Sequence, residues 1–99
     1  MRNVNNNPEK TALISYKIAE QQYQSAIEAL GQVLETHEAK LKPELLAVFK
    51  NNLSIIDDSI RICKKSIEKS PDTRETDKLL LICYRKKLEL LSEMKDITM

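Results

Sequence analysis

The sequence predicts an all-α domain, an antiparallel up-down-up three-helix bundle with long helices. Three observations carry that prediction. Apolar residues recur at alternating steps of three and four along most of the chain, the period of a helix with one buried face. Two Pro-Glu pairs, Pro8-Glu9 and Pro43-Glu44, have the form of helix starts, with proline at the first helical position and a carboxylate facing the positive pole of the macrodipole. A single glycine in 99 residues leaves few of the turns that sheets need.

The first helix is expected over about residues 8–38, after a disordered tail of residues 1–7, with Asn7 as its cap. Its stripe reads Tyr16, Ala19, Tyr23, Ala26, Leu30, Val33 and His37, broadened by Ile27 and Leu34. Gly31 falls inside it, and a neighbouring helix passing close to the backbone is the expected reason, ahead of a hinge. The stretch from His37 to Lys42 must hold the first turn, because Pro43 restricts the residue before it; Leu41 is expected to pack across that corner.

The second helix, about residues 43–69, is the one the chain is organised around. Leu46, Phe49, Leu53, Ile56, Ile60, Cys63 and Ile67 form an unbroken stripe, flanked by a second row of Val48, Ile55 and Ile62. So wide an apolar sector calls for a neighbour on each side. Ser70-Pro71-Asp72 makes the second turn, and Asp72 with Glu75 forms a capping pair for a third helix over about residues 73–95. That helix turns Leu80, Tyr84, Leu88, Leu91 and Met94 inward and frays after Lys95.

Composition closes off several function classes. A chain of 99 residues makes one domain with a single modest core. Its net charge of +1 implies no general attraction to nucleic acid or anionic lipid. The basic residues Arg61, Lys64, Lys65, Lys69, Arg85, Lys86 and Lys87 are interleaved with acids and lack aromatic stacking partners, so they read as a solvated helix face. No run approaches the ~20 apolar residues that span a bilayer, so no membrane insertion is expected from this chain. No Ser-His-Asp or Cys-His spacing and no phosphate loop is present, so no catalytic residue, cofactor or metal site is assigned and an enzyme is not expected. The only histidine, His37, suits the C-terminal pole of the first helix.

Three pairings are expected across the second and third helices. Their short connection brings Asp57 level with Arg85 and Lys87, which predicts an ion pair that sets register. Asn52, beside the stripe, is expected to hydrogen-bond between helices. Cys63 and Cys83 also come within about one turn of level, either as buried thiols or as a disulfide.

The residues by themselves specify a helical interaction domain and no chemistry. The order Tyr23-x-x-Ala26-Ile27, Leu41-x-Pro43-Glu44, Asn52-Leu53-x-Ile55-Ile56-Asp57-x-x-Ile60 and Tyr84-x-x-Lys87-Leu88-x-Leu90-Leu91 is more specific. It resembles the extracytoplasmic C-terminal domain of membrane-anchored, zinc-finger-type bacterial anti-sigma factors, over about residues 20–95. Ser-Pro-Asp stands where that family has an Asp-Pro turn, and the family's zinc-binding His-x-x-x-Cys-x-x-Cys pattern is missing. The resemblance implies a periplasmic-side regulatory or scaffolding module in transcription regulation, a fragment of a membrane-anchored protein. It would bind a protein partner or a second copy through its helix surfaces, and meet a sigma factor only through a domain absent from this chain. Read without the resemblance, the same residues fit a free-standing tetratricopeptide-like adaptor or scaffold in the cytoplasm, although that family repeats every ~34 residues with two short helices.

Overall fold

The computed structural model describes residues 8–70 and 74–98. The tail before Pro8 with the Asn7 cap, and the turn at Pro71-Asp72 with the Asp72 cap, lie outside the described residues. The chain forms a three-helix bundle of α1 (Pro8–Glu35), α2 (Pro43–Lys69) and α3 (Arg74–Thr98), with a short 3-10 turn at Glu38–Lys40 between α1 and α2.

Local chemistry accounts for most of the boundaries. α1 stops at Glu35, short of the expected 38, because the chain tightens ahead of Pro43. His37 donates its backbone N–H to the Leu34 carbonyl, and Lys40 and Leu41 donate theirs to His37 and Glu38. Lys42 is extended at φ −63° and ψ 141°, the region favoured before proline, and α2 then begins with Pro43 in its first turn and Glu44 beside it. Lys69 closes α2 against the negative pole. α3 opens with Glu75 and Asp77 in its first turn. It does not fray after Lys95 as expected: Thr98 is buried and donates its hydroxyl to the Lys95 carbonyl at 3.0 Å.

The packing corrects the expectation that α2 is central. α3 is the helix that both others lie against, and α1 and α2 meet chiefly where their side chains reach the shared core. The molecule is flattened accordingly, measuring 62 × 26 × 14 Å. One cluster, near the α1–α2 connection, joins Leu34, Leu41, Phe49, Leu91 and Met94. The other, toward the opposite end, joins Ile60, Cys63, Leu80 and Tyr84, with Tyr16, Tyr23 and Ile27 from α1 against it. α3 can serve both neighbours because Leu79-Leu80-Leu81-Ile82-Cys83-Tyr84 is apolar around most of the helix circumference.

Two further expectations give way. α2 has no second neighbour along Val48, Ile55 and Ile62, which are exposed at 56, 57 and 60 %. Among the described residues the other helix is α1, and its Ile27, Leu30 and Leu34 pack into the core. In α1 the buried line runs through Leu34, with Ile27 and Leu30 packed beside it, while Val33 is exposed. The stripe is thus rotated toward the residues expected only to broaden it.

Gly31 does not mark a close approach, since a Cβ built there meets nothing within 4 Å. Nothing in the structure demands glycine at this position. Gly31→Ala is therefore expected to stabilise the fold by about 0.5–1 kcal/mol through helix propensity and a less flexible unfolded chain. A urea titration checks this, and an unchanged or lowered midpoint would contradict it.

Candidate functional site

Two surfaces stand out from the packed core: a polar seam between α1 and α3, and the outward face of α2. The seam centres on Tyr84, whose ring is buried in the lower cluster while its hydroxyl reaches α1. The Tyr84 O–H donates to Glu20 Oε2 at 3.0 Å and accepts from Gln24 Nε2 at 3.0 Å. Glu20 and Gln24 lie one turn apart, so both present to the same point on α3. The Lys64 ammonium of α2 stands 5.8 Å from the centre of the Tyr84 ring, adding a weak cation–π contact.

Electrostatics in the seam follow from burial first. Burial, and then the hydrogen bond and charge of Glu20, push the Tyr84 phenol well above its ordinary range; burial and Glu20 do the same to Tyr16. Both phenols keep their protons at neutral pH, and the Tyr84 hydroxyl uses its proton as a hydrogen-bond donor. Burial, with Glu20 next, also raises the Asp77 carboxyl. What this arrangement does chemically is tie α1 to α3 through a hydrogen-bonded phenol.

The raised Asp77 carboxyl makes a prediction with a definite sign. The folded chain holds that proton more tightly than the unfolded chain, so this residue's contribution is fully present at acid pH. It is lost as pH rises from the ordinary carboxylate range through the elevated folded value. Asp77→Asn is expected to raise the thermal midpoint at pH ~7, with the gain vanishing near pH ~3 where the wild-type carboxyl is protonated too. A gain independent of pH would remove the electrostatic explanation.

The α2–α3 interface brings together some of the residues singled out from the sequence. Lys87 Nζ contacts Asp57 Oδ1 at 2.6 Å, with Lys87 the more buried partner. Arg85 turns instead to Glu89 of its own helix at 3.5 Å. Asn52 is exposed and makes no side-chain hydrogen bond among the described residues, so the expected interhelical bond is absent. Cys63 is buried and Cys83 half-buried, both as thiols, with Cys83 packed against the cluster that holds Cys63. Burial, followed by the neighbouring Cys83, pushes the Cys63 thiol up, which makes it a poor nucleophile. His37 sits at the end of α1, with Nδ1 2.7 Å from the Val33 carbonyl and 2.9 Å from Thr36 Oγ1.

Some of the other basic residues are also paired. Besides Lys87 and Arg85, Arg61 lies 3.7 Å from Asp58 and Lys50 3.3 Å from Glu38. No grouping of acids, cysteines and histidine suited to a metal occurs among the described residues. An open, shallow depression is lined by Ala19, Gln22, Tyr23 and Leu88, too exposed and too poor in polar groups to hold a small molecule firmly.

The outward face of α2 is of a different kind. Val48, Ile55 and Ile62 recur every seven residues, so they stack in one line along the helix, on the side turned away from α3. Asn52 and Ser59 border the line on one side, and Glu44, Asn51, Asp58 and Lys65 on the other. An apolar core with polar edges is the composition of a docking strip. The sequence showed these three residues as a row, but the period alone could not tell a row covered by its own chain from one left open.

No protein-family model, curated protein or solved structure matches the chain. No helix among the described residues is long and apolar enough to cross a membrane.

Proposed function

We propose that this chain is a non-enzymatic protein–protein interaction module, and specifically the extracytoplasmic domain of a membrane-anchored anti-sigma factor, a negative regulator of transcription. The observation that carries the first part is the open aliphatic row of α2, three residues spaced a heptad apart that the fold leaves exposed. The second part rests on the residue pattern from Tyr23 to Leu91 that resembles that family. On this reading the sigma factor is held by a zinc-binding domain outside this chain, and the bundle senses or scaffolds on the far side of the membrane. The tetratricopeptide-like alternative gains nothing from helices of 28, 27 and 25 residues, each close to a whole ~34-residue repeat of that family.

The test is the complete reading frame around this chain. A membrane-spanning segment upstream, itself preceded by a His-x-x-x-Cys-x-x-Cys domain, is the expected result. A frame without them overturns the anti-sigma assignment and leaves the interaction module to be judged by its surface.

A further inference from the structure

We infer that the occupant of the outward face of α2 is a second copy of this chain, docked antiparallel about a two-fold axis at Ile55. The inference deepens the interaction-module reading and depends on it. An antiparallel pairing centred on Ile55 sets Val48 against the second copy's Ile62, and Ile62 against its Val48, so all three exposed aliphatics of each copy are covered at once.

Charge decides the direction. In a parallel pairing the two different edges face each other, which sets Asp58 beside the second copy's Ser59 and Lys65 beside its Ser66, so no opposite charges are paired. In the antiparallel pairing the same edge of each helix faces its equivalent, and the order reverses. Glu44 then comes level with the second copy's Lys65, and the Asn51 amide with its Asp58 carboxylate. On the other edge Asn52 comes level with Ser59. Each of these pairs lies within one residue of level, and Asn52, which makes no side-chain hydrogen bond among the described residues, gains a partner; Ser66 on the same edge falls opposite Leu45.

Size sets the strength. The strip from Glu44 to Lys65 is ~32 Å long and ~10 Å wide, which gives ~300 Å² of projected contact per copy, the size of a weak, transient association. The dimer is therefore weak, with a dissociation constant on the order of 10 µM. Leu13, Ile14 and Ile18 of α1 and Leu79 and Ile82 of α3 make other exposed groups, each within about one turn of helix and so shorter than the line on α2.

Sedimentation equilibrium of the full chain over a concentration series up to ~500 µM, far above that constant, reads the proposal directly. The expected result is a mass rising from one chain toward two. Ile55→Glu, at a position exposed enough to leave the circular dichroism unchanged, is expected to raise the dissociation constant at least ~30-fold. Glu44→Lys and Lys65→Glu are each expected to weaken the dimer ~2–5-fold, and the double reversal to restore it. For register, single cysteines are placed in a Cys63→Ala, Cys83→Ala background. Ile55→Cys should cross-link to itself, and Val48→Cys only when mixed with Ile62→Cys. A single-chain mass throughout the series would overturn the proposal and give the row to a helix of another protein, leaving the interaction-module reading in place. Self-linking of Val48→Cys, or a double reversal that restores nothing, would overturn the antiparallel arrangement.

Discussion

Replacing Leu80 by alanine is expected to lower the unfolding free energy by about 3 kcal/mol. Leu80 is the most buried side chain of the structure, at 1 % exposure, and it sits on the central helix within the cluster of Ile60, Cys63 and Tyr84. Truncation removes its transfer free energy and leaves a cavity that cannot close easily, because rigid helices bound it. For a domain of this size, with total stability of about 5–15 kcal/mol, that is a large share, equivalent to a fall in melting temperature of roughly 12–20 °C. A urea titration should show a lower midpoint with an unchanged slope. Ile62→Ala is the control: at 60 % exposure it should cost no more than about 0.5 kcal/mol in dilute solution. Equal losses at the two positions would mean that the core is not where it has been placed.

The second large effect concerns Tyr84. Tyr84→Phe keeps the buried ring and deletes only the hydroxyl that donates to Glu20 and accepts from Gln24. The expected cost is about 1–2 kcal/mol, above that of one neutral hydrogen bond because the acceptor is a carboxylate, and limited because Glu20 and Gln24 can turn to water. Glu20→Gln in the same background separates the parts. If the phenol–carboxylate bond carries the effect, the two substitutions are strongly non-additive in a double-mutant cycle. Additivity within ~0.3 kcal/mol would show that the two groups do not interact energetically.

Much of the architecture was legible in the spacing of apolar residues. The stripe of Phe49, Ile60 and Cys63 lies buried in α2, and the prolines at 8 and 43 open α1 and α2. The centre of the bundle was not legible, because periodicity measures the width of an apolar face and says nothing of which helix covers it. The run Leu79 to Tyr84, apolar on nearly all sides, was the available signal that α3 would be the shared neighbour. Tyr84 itself was read as core and nothing more, since the partners of its hydroxyl lie 64 and 60 residues away. Glu20, a carboxylate interrupting the apolar face of α1 between Tyr16 and Tyr23, hinted at such a partner. Arg85 and Lys87 were equal candidates for Asp57, and position on the helix separates them: Lys87 lies half-buried beside the packed face of α3, while Arg85 is exposed and pairs with Glu89.

Placing the shared neighbour after both helices it covers governs the order in which the domain can assemble. During synthesis α1 and α2 leave the ribosome before α3, as two greasy rods with little to hold one against the other. Only when α3 emerges does either acquire its main contact, so both gain their packing in one late step. Productive folding of the domain thus waits for α3, and a chain broken off before it would be left as bait for chaperones and proteases.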